Sequence, residues 1–253
     1  MLKKLIKHEF ISSLKTMLTL YAAMIVAAGA GRLLNLFGGS SGATVMQTVI
    51  NVVRILNDLV LYLGIFLTLY VIAQRVYNSM LGEEGLTTMS VPASVRLHLT
   101  ARFVAAWVWC AATIGVSLFS YWLYNAALPP VLTQFFSSGF GFFYGFMAAL
   151  IALLISAVVI SGIYLASAAG HLFIKRKLPA TLISGVIIFA ALGGISYVMF
   201  EFGVFEKIFA FTGDQAVAFM SDYGIFGAVF FSALCVGCFE GANHIINKKL
   251  NIC

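Results

Sequence analysis

The residues best placed to do chemistry in this chain are Glu83 and Glu84, two adjacent carboxylates between Gly82 and Gly85. Paired carboxylates can act as acid and base or bind a metal ion, as intramembrane proteolysis requires. The paired glutamates of membrane metalloproteases are followed by an arginine at a fixed spacing. This chain has Thr88 at that position, so the metalloprotease pattern is incomplete. The pair is therefore interpreted as a surface that makes charge-assisted contacts with a basic partner.

Other candidates for catalysis are equally incomplete. Ser167 and His171 are four residues apart, but neither a strained turn nor an oxyanion-stabilising donor can be identified near them. Cys235 and Cys238 could form half of a redox or metal site, yet the sequence has no second cysteine pair and no spaced histidines to complete one. The sequence also has no phosphate-binding loop of the form G-x-x-x-x-G-K-[ST]. We therefore predict that the chain is not an enzyme and binds no metal or cofactor itself; ATP and Mg²⁺, if used, would bind to a partner subunit.

A second polar group consists of Arg54, Asn57 and Asp58, near the start of an apolar stretch. Arg54 and Asp58 are four residues apart, so they can pair on one face of a helix. Charges at membrane depth are costly and often functional, which makes these three residues candidates for an outer gate or substrate vestibule. The alternative is an interfacial ion pair that caps the entry of the helix.

The composition indicates that these residues are carried by membrane-spanning helices. Of 253 residues, 62% are hydrophobic and 9% are charged, with a mean hydropathy of +1.02, whereas about a quarter of residues are charged in soluble domains. The net charge of +6 does not indicate nucleic-acid binding, because the basic residues are scattered between apolar stretches. Six apolar windows are each close to the ~20 residues that cross a bilayer: 17–37, 55–74, 103–124, 142–168, 180–200 and 223–241. The predicted fold is an all-α membrane protein with one transmembrane domain over residues 1–253.

The distribution of basic residues predicts the orientation in the membrane. With both termini in the cytosol, twelve basic residues lie inside, and Arg32, Arg54 and Lys207 lie outside. Because inner loops are enriched in lysine and arginine, this excess predicts cytosolic termini. The short basic loop around Lys175 and Lys177 is interpreted as an orientation signal that also contacts anionic lipid headgroups, with contact to a cytosolic partner as the alternative.

Three segments have predictions of their own. In residues 1–15 apolar side chains recur at a four-residue step with lysines off that row, which predicts an N-terminal amphipathic helix at the membrane interface. Residues 75–102 are predicted to form a cytosolic loop, in which Pro92 opposes one continuous helix and Ser94 can cap the next one. Residues 202–220 mix apolar and charged side chains, which predicts re-entrant outer helices before the last span.

The segment Gly82–Ser94, GEEGLTTMSVPAS, resembles the loop between the second and third helices of bacterial type-2 ABC exporter permeases, which are six-helix, ABCG-like subunits. In that family an acidic-Glu-Gly-Tyr run leads to Leu-Pro-Val-Ser, and this chain has Leu86, Val91 and Ala93 at three of those positions. The glycine, acidic and proline positions of the family's loop are all present in this chain, at Gly85, Glu83, Glu84 and Pro92. The order of an amphipathic start, six spans and a partly apolar outer segment is also similar to the family.

The resemblance implies a permease subunit in a bacterial plasma membrane that pairs with a second, identical or homologous, permease subunit and binds separate ABC ATPase subunits. It also implies export of a hydrophobic or amphipathic substrate such as an antimicrobial peptide, drug or lipid, with the second and fifth spans lining the pathway. The residues implied to contact the ATPase are Glu83, Glu84, Gly85, Leu86, Thr87, Met89 and Pro92. The composition is equally well explained by the alternative, a membrane scaffold or assembly subunit without a transport pathway.

Overall fold

The computed structural model describes residues 2–38, 44–78, 94–126, 141–172, 177–201 and 215–248. Within these residues the chain is all-helical, as predicted. The helices are α1 (Leu2–Gly38), α2 (Thr44–Val76), α3 (Val95–Asn125), α4 (Gly141–Gly170), α5 (Lys177–Glu201) and α6 (Gln215–Lys248). Each of the six contains a stretch long and apolar enough to cross a membrane, so the chain has the architecture of a multi-pass membrane protein.

Each predicted span lies within one of these helices, and α1, α2 and α6 are each more than ten residues longer than their spans. α1 has 37 residues and is therefore about 55 Å long, which exceeds the ~30 Å core of a bilayer. The predicted amphipathic segment 1–15 is, from Leu2 onward, the first part of this unbroken helix, and its place at the membrane interface stays a prediction. Of the predicted re-entrant segment 202–220, residues 202–214 lie outside the described residues, and the rest forms the first turns of α6.

The helices pack as two groups of three. α1, α2 and α3 contact one another, and α4 contacts α5 and α6. The groups meet where α4 contacts α2 and α3 and where α6 contacts α3. α5 packs mainly on α4, and none of the described residues in its apolar window is buried. One face of α5 is therefore left for lipid or for another protein.

The ends of the first group lie about one bilayer thickness apart. Three residues meet at each end: at one end Glu9, Arg75 and Arg102, and at the other Gly31, Val53 and Tyr124. Gly31 allows a close approach there, since a Cβ at this position would lie 2.6 Å from Cε2 of Tyr124. In all three helices 22 residues separate the two ends, which corresponds to about 33 Å. The Glu9 end and the Gly31 end thus match the two boundaries of a membrane core.

The helix break predicted within 75–102 is confirmed. α2 ends at Val76, and α3 begins at Val95. Ser94 has an extended backbone, with φ −63° and ψ 146°, and its hydroxyl oxygen accepts a hydrogen bond from the Leu97 N–H at 3.4 Å. Ser94 is therefore the N-cap of α3, as the sequence predicted.

Candidate functional site

The predicted coupling residues, from Glu83 to Pro92, lie outside the described residues. The structure does describe the two helix ends that flank this segment. Arg75 lies in the last turn of α2, and Arg102 lies two turns into α3. Both side chains reach the same carboxylate, that of Glu9 on α1.

These three residues, called here the Glu9 cluster, form a partly buried ionic site. Oε1 of Glu9 accepts a hydrogen bond from Nε of Arg102 at 2.9 Å, and Oε2 lies 3.7 Å from Nη1 of Arg75. Arg75 also donates to the Glu9 backbone carbonyl at 3.1 Å and to the Ser12 hydroxyl. The side chain of Arg102 is only 6% exposed, compared with 21% for Glu9 and 32% for Arg75. Because breaking a buried ion pair leaves a charge uncompensated, the cluster holds the ends of three helices together.

A small cavity of about 30 Å³ adjoins the Glu9 cluster. Its lining includes Glu9, Ile72, Arg102, Trp109 and Tyr164, so it touches α1, α2, α3 and α4. Nη1 of Arg102 is buried and has no hydrogen-bond partner among the residues that the structure describes. One donor of a buried cation is thus left without a partner within the described part of the chain.

Trp109 fixes α1 against α3 above the cluster. Its indole N–H donates to the Ser13 hydroxyl at 2.8 Å, and that hydroxyl donates to the Glu9 backbone carbonyl at 2.8 Å. Phe10 stacks on the indole ring with the centroids 4.3 Å apart and the planes 9° from parallel. The orientation of Glu9 is therefore supported by its own helix and by α3.

A second polar contact joins the same three helices halfway along the span. The Tyr21 hydroxyl lies 2.9 Å from the Thr113 hydroxyl, which in turn lies 3.1 Å from the Thr68 hydroxyl. Tyr21 also donates to the Trp109 backbone carbonyl at 2.9 Å. Thr113 is 11 residues from Arg102, about 16 Å along the helix, so these hydroxyls lie near mid-membrane.

An apolar groove of about 230 Å³ lies beside these hydroxyls, between α2, α3 and α4. Thr68, Cys110 and Thr113 form part of its wall. Ile65 and Ile155 also line it and are 41% and 43% exposed, so the groove opens on an apolar surface of the chain. Its size and lining are suited to one small apolar group rather than to an ion.

The predicted gate residues lie towards the Gly31 end, away from the Glu9 cluster. Asn57 is buried, and neither its amide nitrogen nor its amide oxygen has a partner among the described residues. Arg54 is exposed and Asp58 is half-buried. The ion pair that their spacing permits is not formed between these two described residues. The structure thus buries Asn57 and leaves Arg54 outside the helix group.

A further contact ties α3 to α6 close to the Glu9 cluster. Arg96, in the first turn of α3, pairs with Glu240 on α6, and the two side chains are 66% and 43% exposed. Gly237 and Gly241 of α6 flank Glu240 and form a Gly-x-x-x-Gly motif, a pattern that permits close contact between helices. A Cβ on Gly241 would lie 3.2 Å from Leu165 of α4, whereas a Cβ on Gly237 would meet nothing within 4 Å, so the close contact applies to Gly241.

The sequence analysis missed the Glu9 cluster. A signal was present, because Glu9 is the only acidic residue among the first 57. Arg75 and Arg102 are the basic residues nearest to the spans on either side of the predicted loop. An acid in a lysine-rich amphipathic segment was a candidate partner for them.

No family model, no curated protein and no solved structure matches this chain.

Proposed function

We propose that this chain is the membrane-spanning permease subunit of an ATP-driven ABC exporter in a bacterial plasma membrane. Separate ATPase subunits, which carry ATP and Mg²⁺, dock on residues 82–94 at the cytosolic face. The substrate is a hydrophobic or amphipathic molecule. The proposal begins from the resemblance of Gly82–Ser94 to the loop of that family and from the lack of a phosphate-binding loop in the sequence.

The observation that carries the proposal is the Glu9 cluster. Arg75 and Arg102 stand on opposite sides of the proposed docking segment, and both are paired with Glu9. A force applied between α2 and α3 therefore acts on α1 at the same time. Transport driven by a partner needs such a connection, because the docking surface must be mechanically linked to the helices that move.

Exposed apolar surface supports the pairing with a second permease subunit. On α2, the large side chains of Leu59, Tyr62 and Phe66 are half or more exposed. On α5, Val186 and Ile187 are more than 60% exposed. A pathway between two subunits would use these helices, with Asn57 and its neighbours Arg54 and Asp58 as an outer vestibule.

The test is whether a P-loop ATPase co-purifies with the intact chain from its native membrane. Wild-type protein should retain the ATPase, and the double variant Glu83→Lys, Glu84→Lys should insert normally but lose it, because four units of charge change at the docking surface. The matched control, Glu201→Lys with Glu206→Lys, makes the same charge change in the predicted outer segment and should retain the ATPase.

Two results would contradict the proposal. Retention of the ATPase at wild-type yield by the Glu83, Glu84 variant would exclude this segment as the docking surface. The absence of any P-loop ATPase from the wild-type complex would favour the membrane scaffold without a transport pathway.

A further inference from the structure

The apolar groove between α2, α3 and α4 lies at the middle of the membrane. Thr113, on its wall, is 11 residues from Arg102 at the Glu9 end and 11 residues from Tyr124 at the Gly31 end, which is about 16 Å in each direction. Ile65 and Ile155 line the groove and are 41% and 43% exposed. The groove therefore opens at a depth where the bilayer consists of hydrocarbon.

The wall of the groove offers a water molecule few hydrogen-bond partners. The hydroxyl groups of Thr68, Thr113 and Ser156 belong to the wall, and each lies 2.7 to 2.9 Å from a backbone carbonyl of its own helix, to which it donates. Thr68 and Thr113 are also only 1% and 3% exposed, so their oxygens scarcely reach the surface of the groove. Since a buried water molecule needs about two to four polar partners, the groove is suited to an apolar occupant.

The shape of the groove indicates which apolar molecule fits. On α4 its wall runs from Ala152 to Val159, a distance of about 10 Å along the helix axis. Its volume of about 230 Å³ is roughly eight times the ~30 Å³ that a water-sized group takes up. A run of eight methylene groups has this volume and, with C–C bonds of about 1.5 Å, is also about 10 Å long when extended. The groove thus matches a segment of an acyl chain that lies parallel to the helices, as lipid chains do.

We propose that the groove binds the terminal segment of one acyl chain of a membrane phospholipid. The chain ends of the two leaflets meet at this depth, so the terminal methylene groups are the part of the lipid that reaches the groove. If the groove were empty, the atoms of its wall would lose dispersion contacts, which a hydrocarbon chain restores. The bound chain joins α2, α3 and α4 at mid-membrane. The proposal is independent of the transport function, because it uses neither residues 82–94 nor a second subunit.

The test uses bilayer nanodiscs that contain the full-length chain and dihexadecanoyl phosphatidylcholine with a photoreactive diazirine on the last carbon of one chain. Illumination should label Cys110, which lines the groove but is only 6% exposed, so that lipids surrounding the protein do not reach it. The same lipid with the diazirine beside the carboxyl carbon stays at the membrane boundary and should leave Cys110 unlabelled. Mass spectrometry locates the labelled residues. Labelling only of exposed residues such as Val186, or equal labelling of Cys110 by both probes, would overturn the proposal.

A groove-filling variant locates the effect. Ala152 lines the groove on α4, so Ala152→Phe places an aromatic ring in the space that the acyl chain needs. Labelling of Cys110 by the chain-end probe should fall by roughly tenfold or more, because the ring and the chain compete for the same volume. The control Ala23→Phe, at an exposed position of α1, should keep the labelling of the wild-type protein. Undiminished labelling of Cys110 in Ala152→Phe would refute the site. Should that variant not fold, the comparison of the two probes on the wild-type protein decides the question.

Discussion

The buried faces of α1–α3 carry polar side chains at several depths, whereas the interface of α4 with α6 is formed largely by small and apolar ones. In the first group the Glu9 cluster and the hydroxyl groups of Tyr21, Thr68 and Thr113 join separate helices. In the second group the buried residues include Ala157, Ile160, Ala168, Cys238 and Ala242. The buried Ser161 there donates to the Val158 carbonyl of its own helix, and its hydroxyl also contacts the thiols of Cys235 and Cys238 on α6.

The two interfaces illustrate the two ways in which helices associate in a membrane. Lipid is as apolar as leucine, so burial of apolar surface does little to hold helices together. The first group instead uses bonds between particular atoms, which fix both register and rotation. The second group depends mainly on close approach, and so on shape, although Ser184 of α5 donates a hydrogen bond to the Ala166 carbonyl of α4 at 2.8 Å. Removing one polar atom should therefore damage the first group, and adding one carbon atom should damage the second.

The largest effect is expected for Glu9→Gln. Neutralising Glu9 leaves the buried Arg102 without its ion-pair partner, and breaking a buried pair in this way costs about 3 to 5 kcal/mol of the free energy of unfolding. Denaturant unfolding in mixed micelles measures the loss. The control is Arg96→Gln, which removes the more exposed pair with Glu240 and should cost less than ~1 kcal/mol. Equal losses for the two variants would show that the Glu9 cluster is no more important than a surface ion pair.

A smaller effect is expected for Gly170→Ala in the second group. A Cβ at Gly170 would lie 2.4 Å from Cα and 2.6 Å from the backbone nitrogen of Thr181 on α5, so the helices must move apart. Overpacking of this kind typically costs about 1 to 3 kcal/mol. Gly193→Ala is the matched control, because a Cβ there meets nothing within 4 Å and alanine should stabilise the helix by about 0.5 to 1 kcal/mol. A change in stability of the same sign in both variants would contradict the claim that the second group depends on close approach of its helices.

The features predicted correctly from the sequence depend on local signals. Long apolar stretches placed all six spans inside the observed helices, and Pro92 with Ser94 predicted the break after α2 and the cap of α3. Hydrophobicity and capping act over a few residues, so they can be identified without knowledge of the tertiary structure.

The contacts that were missed depend on how helices are rotated against one another. Glu9 lies 66 residues before Arg75 and 93 residues before Arg102 in the sequence, and no spacing rule connects them. The pair Arg54 and Asp58 is a different case, because both residues lie on one helix and their spacing permits an ion pair without requiring it. Helix rotation does explain Asn57, whose burial is set by its position in the three-helix group.

The smallest effect is expected for Thr113→Val at mid-membrane. Valine keeps the shape of threonine but removes the hydroxyl that lies between Tyr21 and Thr68. Side-chain hydrogen bonds between membrane helices contribute about 0.6 kcal/mol on average, and the loss should be of that order or up to about 1 kcal/mol, since Tyr21 retains its bond to the Trp109 carbonyl. Thr19→Val is the matched control, because the Thr19 hydroxyl is exposed and bonds to the Lys15 carbonyl of its own helix. A loss in Thr113→Val no larger than in Thr19→Val would restrict the polar association of α1–α3 to the Glu9 end, whereas a clear difference would extend it to the centre of the span.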